Sequence, residues 1–155
     1  MKKTVVLGVG NELFKDEGVG VHAARILQAK LLPSDVEVIE GGTSPDIWSL
    51  IDGADKLIIV DAVRGGCEPG TIYRFTPQQI VADRGIVTSV HQMGILENLS
   101  LMELVGGKPE ETVIVGVEPA ELEPGLELSA RLQERMPKII QTVLGEIHPR
   151  VETKV

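Results

Sequence analysis

Three polar residues stand where they could hold a divalent cation. Glu17 lies in a glycine-rich segment after the first apolar run, Asp61 directly follows the apolar run 57–60, and His91 lies in the first turn of a predicted helix. Two carboxylates and one imidazole suit a borderline ion such as Ni²⁺ or Zn²⁺. The positive end of a helix dipole at His91 favours the neutral ring that a metal needs. No two of the three form a local pair on one helix, so their convergence depends on the fold.

Each of these residues also has an ordinary structural explanation. Asp16 and Glu17 would complement the dipole in the first turn of a helix, and Asp61 would accept backbone N–H groups in a turn. A lone histidine at a helix start is more often structural than a ligand. However, Gly18 and Gly20 each weaken a helix start by about 1 kcal/mol relative to alanine. We expect close backbone approach by a partner to explain these two glycines.

The same glycine-rich segment raises the alternative of a dinucleotide site. Gly8 and Gly10 begin the dinucleotide fingerprint, but Leu13 stands at its third glycine. The two acids that follow would repel a pyrophosphate at the helix start. Glu40, at the end of the second predicted strand, still fits a ribose-binding acid. A nucleotide-binding oxidoreductase is therefore one alternative.

Nucleophilic catalysis has little support in the sequence. There is no Gly-x-Ser-x-Gly motif. The single cysteine, Cys67, follows two glycines and has no obvious base positioned beside it. One cysteine also excludes an internal disulfide and a cysteine-based zinc cluster.

The elements that must position these residues alternate between strands and helices. Continuous apolar runs predict buried strands over 4–9, 36–40, 56–60, 70–75 and 111–117. Helical periodicity fills most of the segments between them, which predicts a single α/β domain. Its mostly parallel sheet has about five strands, with helices on both faces. Pockets in such sheets form beyond the carboxyl ends of the strands, where Glu17 and Asp61 are expected.

The helix boundaries are predicted from capping and breaking residues. The first predicted helix runs from Glu17 and stops at Pro33, and a short second helix is capped by Thr43 or Ser44 with Pro45 in its first turn. A third helix begins with a capping box of Ser89 and Gln92 and ends at Gly106. The last helix has a kink or start at Pro137 and ends at Gly145.

Composition narrows the class of protein. The 155 residues carry a formal net charge of −8, and 43% of them are hydrophobic, so a packed core is feasible. The acidic balance argues against a nucleic-acid partner and an anionic membrane surface. Apolar runs are too short for a signal peptide or a spanning helix, so we expect a cytoplasmic protein.

Six short motifs in series resemble the hydrogenase maturation proteases, which trim the C-terminal extension of nickel-iron hydrogenase large subunits. The resemblance covers nearly the whole chain. The motifs are Gly8-Val9-Gly10-Asn11 with Asp16-Glu17-Gly18-Val19-Gly20, then Glu40-Gly41-Gly42-Thr43, Asp61-Ala62, Pro69-Gly70-Thr71, Ser89-Val90-His91-Gln92-Met93-Gly94 and Gly116-Val117-Glu118-Pro119. The resemblance implies a protease-like α/β domain over 1–147 and a flexible tail over 148–155.

The resemblance assigns metal binding to Glu17, Asp61 and His91. It implies that nickel is carried by the substrate, a large-subunit precursor, and that another ion such as zinc could occupy the same site. Water would be polarised by the metal or by a carboxylate, with Asp16, Asp61 and Glu40 as the catalytic candidates; Glu40 stands where the family usually has aspartate. A non-catalytic nickel-binding maturation factor is a further alternative.

Two apolar residues in the first loop, Leu13 and Phe14, would be unusual if they were exposed to solvent. They are expected either to pack beneath the loop or to contact the hydrogenase large subunit.

Overall fold

The computed structural model describes residues 2–44, 46–82 and 90–147, with the backbone alone given for 80–82 and 90–96. Five strands and five α-helices follow one another within these described ranges. The strands are β1 (Thr4–Val9), β2 (Val36–Gly42), β3 (Lys56–Ala62), β4 (Ile72–Phe75) and β5 (Glu111–Val117). The helices are α1 (Val19–Gln28), α2 (Ile47–Leu50), α3 (Pro77–Ala82), α4 (Val90–Val105) and α5 (Ala130–Ile147), and a 3₁₀ turn (Lys15–Gly18) precedes α1.

The strands form one sheet in the order β2-β1-β3-β5-β4. The strands β2, β1, β3 and β5 are parallel, and β4 is antiparallel to β5. In the central register Val6 lies beside Val38 and Ile58, and Ile59 lies beside Ile114. The carboxyl ends of the four parallel strands therefore meet at one edge of the sheet, which we call the carboxyl edge.

Apolar side chains form a separate layer on each face of the sheet. One layer joins alternate strand residues such as Val6, Ile58 and Val60 to α1 and α5. The other joins Leu7 and Ile59 to α2 and α4. This two-residue alternation is the pleat of a strand that is buried on both sides. The predicted α/β class, with helices on both faces of a mostly parallel sheet, is confirmed.

Several element boundaries differ from the predicted ones. The β3 ladder continues through Asp61 and Ala62, because Asp61 pairs in register with Gly116 although its side chain is charged. The predicted caps of α2 at Thr43 or Ser44 are wrong. Asp46 caps that helix instead, and its Oδ1 accepts the Ser49 N–H at 3.3 Å.

The other differences concern helix ends. α1 ends at Gln28, well before Pro33. α5 begins at Ala130, seven residues before Pro137, and continues past Gly145 to Ile147 because its apolar stripe is buried along this length. The helix α3 was not predicted from the sequence. The predicted cap at Ser89, the position of Pro45 and the predicted tail from residue 148 lie outside the described residues.

No helix over the described ranges is long and apolar enough to cross a membrane.

Candidate active site

Asp61 lies at the carboxyl edge, near the end of the ladder of β3. Its side chain is fully buried, and Oδ1 accepts the Ala62 N–H at 2.8 Å. By the alternation of the strand it shares a face with Leu57 and Ile59, which pack in the layer of α2 and α4. The carboxylate therefore sits beneath the face that α4 covers.

Gly10 brings the first loop into contact with Asp61. Its φ of 124° is a conformation that side-chain-bearing residues rarely adopt. A Cβ built on Gly10 would lie 1.9 Å from the Glu17 carbonyl oxygen and 3.7 Å from Asp61 Oδ1. The main chain of Glu17 and the carboxylate of Asp61 thus both lie close to Gly10, and metal binding by the two side chains stays a prediction.

The glycines at the start of α1 are explained by this chain's own backbone. A Cβ on Gly20 would lie 2.1 Å from the Val60 carbonyl oxygen, and one on Gly18 would lie 2.6 Å from Glu12 Cα. The expectation that an external partner approaches these glycines is therefore wrong. Because these glycines have no side chain, the 3₁₀ turn and α1 can pack closely against the first loop, β1 and β3. The contact with β3 is at Val60, one residue before Asp61.

This tight packing also bears on the dinucleotide alternative. A pyrophosphate site needs open N–H groups at the start of the helix after β1. Here a 3₁₀ turn with two acids precedes α1, and Gly20 is packed against Val9 and Val60. The carboxyl edge at this position is occupied by carboxylates and closely packed backbone, which is a poor environment for a phosphate anion.

Asp16 anchors the first loop to a segment more than 100 residues away in the chain. Its carboxylate is fully buried. Oδ1 accepts the Ser129 N–H at 2.7 Å, and Oδ2 accepts the N–H groups of Ala120 at 2.8 Å and Glu121 at 2.9 Å and the Ser129 hydroxyl at 2.7 Å. Both oxygens are engaged by donors, so these contacts support a structural role. Water activation by Asp16 stays a prediction.

Lys15 adds a second connection between the same two segments. Its φ is 46°, and its N–H donates to the Gly125 carbonyl oxygen at 2.8 Å. Its Nζ pairs with Glu121 at 2.8 Å and with Glu123 at 3.3 Å. The hydrogen bond from Lys15 lowers the pKa of the Glu121 carboxyl and in turn raises the pKa of the ammonium. Together with Asp16, Lys15 thus ties the loop that carries Glu17 to the segment 120–129.

Glu40 points to the opposite face of the sheet from Asp61. It follows Val36 and Val38, which pack against the layer of α1 and α5. Arg25 of α1 binds it there, with Nε 2.8 Å from Glu40 Oε1, and also binds Glu12 at 2.7 Å. The hydrogen bond from Arg25 lowers the pKa of Glu12. The structure therefore does not bring Glu40 together with Asp61, and its catalytic role stays a prediction.

A cleft of about 340 Å³ opens between the first loop and the end of β2. It is lined by Gly10, Asn11, Glu12, Leu13, Val21, Glu40, Gly42 and Thr43. Gly10 is the lining residue that also lies close to the Glu17 main chain and the Asp61 carboxylate, and neither Glu17 nor Asp61 itself lines the cleft.

His91 lies in the first turn of α4, but its side chain is outside the described part of the chain. Leu99 and Met102 place the later turns of α4 on the face of the sheet to which Asp61 points. α4 then leads to the start of β5 at the opposite edge, so its first turn lies toward the carboxyl edge. Among the described side chains, which exclude that of His91, no three His, Cys, Asp or Glu are grouped as a metal site.

Glu118 is a buried carboxylate that was not among the candidates predicted from the sequence. It directly follows β5, and its Oε1 accepts the N–H groups of Gly65 at 2.8 Å and Gly66 at 3.0 Å and the Tyr73 hydroxyl at 2.6 Å. Burial, together with this hydrogen bond, raises the pKa of Tyr73. Glu118 thereby fixes the loop that follows β3. An acid directly after an apolar run, the signal used for Asp61, would also have identified it.

Comparisons with known proteins place this architecture in a family. The HycI family model, described as hydrogenase maturation protease, matches residues 21–146. The Hydrogenase 2 maturation protease of Escherichia coli is 32% identical over 148 residues, which cover 94% of this chain and 90% of that protein. The hydrogenase expression/formation protein HupD of Thiocapsa roseopersicina is 35% identical over 144 residues, which cover 90% of this chain and 65% of that protein.

A solved structure supports the same assignment. The hydrogenase maturating endopeptidase HybD from Escherichia coli is similar to this chain with a TM-score of 0.85 and 31% sequence identity. The similarity covers 95% of this chain and 93% of that one. The resemblance inferred from the six motifs is confirmed. This chain belongs to the hydrogenase maturation protease family.

Proposed function

We propose that this protein is an endopeptidase that removes the C-terminal extension of a nickel-iron hydrogenase large-subunit precursor after nickel has been inserted. Family membership supports the reaction class. The observation that carries the site assignment is the contact at Gly10, where the Glu17 backbone and the Asp61 carboxylate flank one point at the carboxyl edge. The cleft beside that point supports access by a polypeptide.

In this proposal the substrate's nickel is recognised by Glu17, Asp61 and His91. Two carboxylates and a neutral imidazole match a borderline dication, and a precursor without nickel offers them no cation. Binding of the ion aligns the scissile bond beside the cleft. Recognition of the inserted metal thereby makes cleavage depend on maturation of the precursor. Zinc or another divalent ion fits the same donor set.

Hydrolysis adds a water oxygen to the scissile carbonyl carbon, breaks the C–N bond and passes a proton to the leaving nitrogen. Of the three predicted catalytic acids, Asp61 is the best placed to assist this water, since it lies beside Gly10 and the Glu17 backbone. Asp16 is engaged by four donors and Glu40 is paired with Arg25 on the other face. Either the metal or Asp61 can polarise the water.

The test compares nickel-loaded and nickel-free precursor, with the loss of the extension followed by intact mass. We expect the wild-type protein to shorten only the loaded precursor. Asp61→Asn and His91→Ala should each abolish processing while the far-ultraviolet circular dichroism is retained. Asp52→Asn, an exposed aspartate after α2, is the matched control and should process normally.

Two results would reject parts of the proposal. Equal cleavage of loaded and empty precursor would exclude recognition of the metal. Retained cleavage in both Asp61→Asn and His91→Ala would exclude the ligand assignment. Tight nickel binding by the protein, with the precursor left intact, would instead favour a non-catalytic maturation factor.

A further inference from the structure

Three large apolar side chains are exposed next to one another although they come from distant parts of the chain. Leu13 is 57% exposed, Phe14 is 37% exposed and Leu126 is 65% exposed. Phe14 pairs with Gly125 as an isolated parallel bridge, and the Gly125 N–H donates to the Leu13 carbonyl oxygen at 2.8 Å. We call this group the Leu13–Leu126 surface. Single exposed apolar residues are common, whereas adjacent ones often mark an interaction site.

The exposure of the Leu13–Leu126 surface is fixed by the fold. Asp16 binds three backbone N–H groups and a hydroxyl in 120–129, and Lys15 binds Gly125 through the main chain. The loop could turn Leu13 and Phe14 inward only by breaking these bonds around a buried carboxylate. Packing beneath the loop, the first of the two expectations for Leu13 and Phe14, is thus not what the structure has.

The Leu13–Leu126 surface borders two cavities, one at Leu13 and one at Leu126. Leu13 lines the cleft of about 340 Å³ beside the candidate site, together with Glu12 and Glu40. Leu126 lines a second hollow of about 400 Å³, whose other walls include Ile26, Leu128 and Met136. A partner whose scissile bond reaches the cleft would therefore also cover Leu13 and could place an apolar side chain in the hollow at Leu126.

We propose that the Leu13–Leu126 surface is the docking surface for an apolar segment of the precursor adjacent to its scissile bond. This inference rests on the proposed function. Continuity with the cleft favours the precursor over a second copy of this chain as the occupant. Another exposed apolar group, Leu101, Leu104 and Val105 on α4, lies near the helix end that leads to the opposite edge of the sheet and serves as a comparison.

The experiment measures the affinity for nickel-loaded precursor by biolayer interferometry and the KM for its cleavage. Leu126→Ser and Phe14→Ser are each expected to weaken binding and raise KM by about tenfold, as for side chains near the centre of an interface. The loss should be overcome at high precursor concentration. Leu104→Ser, which removes a side chain that is 83% exposed on α4, should match the wild type in both measurements.

The outcomes separate this inference from the proposed function. The wild-type protein could bind the precursor without cutting it, while Leu126→Ser still weakens binding. That result would support the docking surface and contradict the peptidase function. Normal affinity and KM in both Leu126→Ser and Phe14→Ser would overturn the docking surface and leave the function intact. Sedimentation of the wild type as a dimer that Leu126→Ser dissociates would assign the surface to self-association and would also overturn it.

Discussion

Replacing Asp16 with asparagine should destabilise the protein strongly, although it only replaces one carboxylate oxygen with an NH₂ group. Oδ2 accepts three donors and Oδ1 accepts the Ser129 N–H at 2.7 Å. An asparagine would best place its oxygen at the Oδ2 position, because more donors converge there. Its NH₂ group would then face the Ser129 N–H, so two donors would oppose each other in a buried site.

The size of the effect follows from these contacts. A hydrogen bond to a charged group contributes about 1.5–3 kcal/mol, and a buried N–H left without an acceptor costs about 1–3 kcal/mol. We expect Asp16→Asn to lower the free energy of unfolding by about 3–5 kcal/mol. For a chain of this length each kcal/mol lowers Tm by about 2–4 °C, so Tm should fall by about 6–20 °C.

Thermal and urea unfolding followed by circular dichroism measure this effect, with Asp52→Asn as the control for loss of one carboxylate. Asp52 is exposed, and its substitution should shift Tm by no more than about 2 °C. If Asp16→Asn melts within that same margin of the wild type, the carboxylate does not anchor 120–129 and the reasoning is refuted. A large shift that comes with normal cleavage at 25 °C would show that Asp16 acts on stability and not on the water.

Three further predictions use other parts of the structure. Tyr73 is the only tyrosine, so absorbance at 295 nm reports its ionisation alone. Because the pKa of Tyr73 is raised in the folded protein, its contribution to the free energy of unfolding should be fully present below pH 10 and should decrease as the pH rises above 10. A titration midpoint of the folded protein at or below that of the urea-unfolded chain would contradict the burial argument. Gly20→Ala should destabilise the protein by several kcal/mol because its Cβ would lie 2.1 Å from the Val60 carbonyl oxygen in β3. Gly145→Ala in α5 has open space around it and should stabilise the protein by about 0.5–1 kcal/mol. Similar Tm values for the two variants would be inconsistent with the close approach of Gly20 to β3. Glu40→Gln should keep cleavage within a few-fold of wild type in a mass-based assay, since its carboxylate, although it lines the cleft, is paired with Arg25 and points to the opposite face of the sheet from Asp61; complete loss would support its predicted catalytic role.

The strands could be predicted from sequence because a parallel strand that is buried on both faces is a continuous apolar run. The same signal misplaced the end of β3, since Asp61 interrupts the apolar run while the ladder of hydrogen bonds continues opposite Gly116. Backbone pairing does not depend on the polarity of the side chain, so the apolar pattern alone could not locate that boundary.

α3 was missed although a capping signal for it is present. Thr76 and Gln79 form a reciprocal pair, in which the Thr76 N–H donates to Gln79 Oε1 at 2.8 Å and the Gln79 N–H donates to Thr76 Oγ1 at 3.4 Å. Pro77 occupies the first helical position, where its lack of an N–H costs nothing. The helix is only six residues long, too short for helical periodicity to appear in the sequence.

The positions of Asp61 and of the Glu17 main chain could be predicted, because the carboxyl ends of parallel strands share an edge, but the contacts of each acid could not. Their roles as a site stay a prediction. The contacts of Asp16 come from residues more than 100 positions away, and only the fold reveals them. The face to which Glu40 points depends on the register and pleat of β2, which the sequence alone does not specify.

The anchoring of Asp16 has a consequence for the order in which the protein is made. Ribosomes release a chain from its N-terminus, and early segments can fold before later ones emerge. The buried carboxylate of Asp16, in the loop that carries Glu17, has none of these native donors until Ala120, Glu121 and Ser129, more than 100 residues later in the chain, have left the exit tunnel. The loop that carries Glu17 therefore cannot reach its native anchoring before the segment 120–129 has been translated and released.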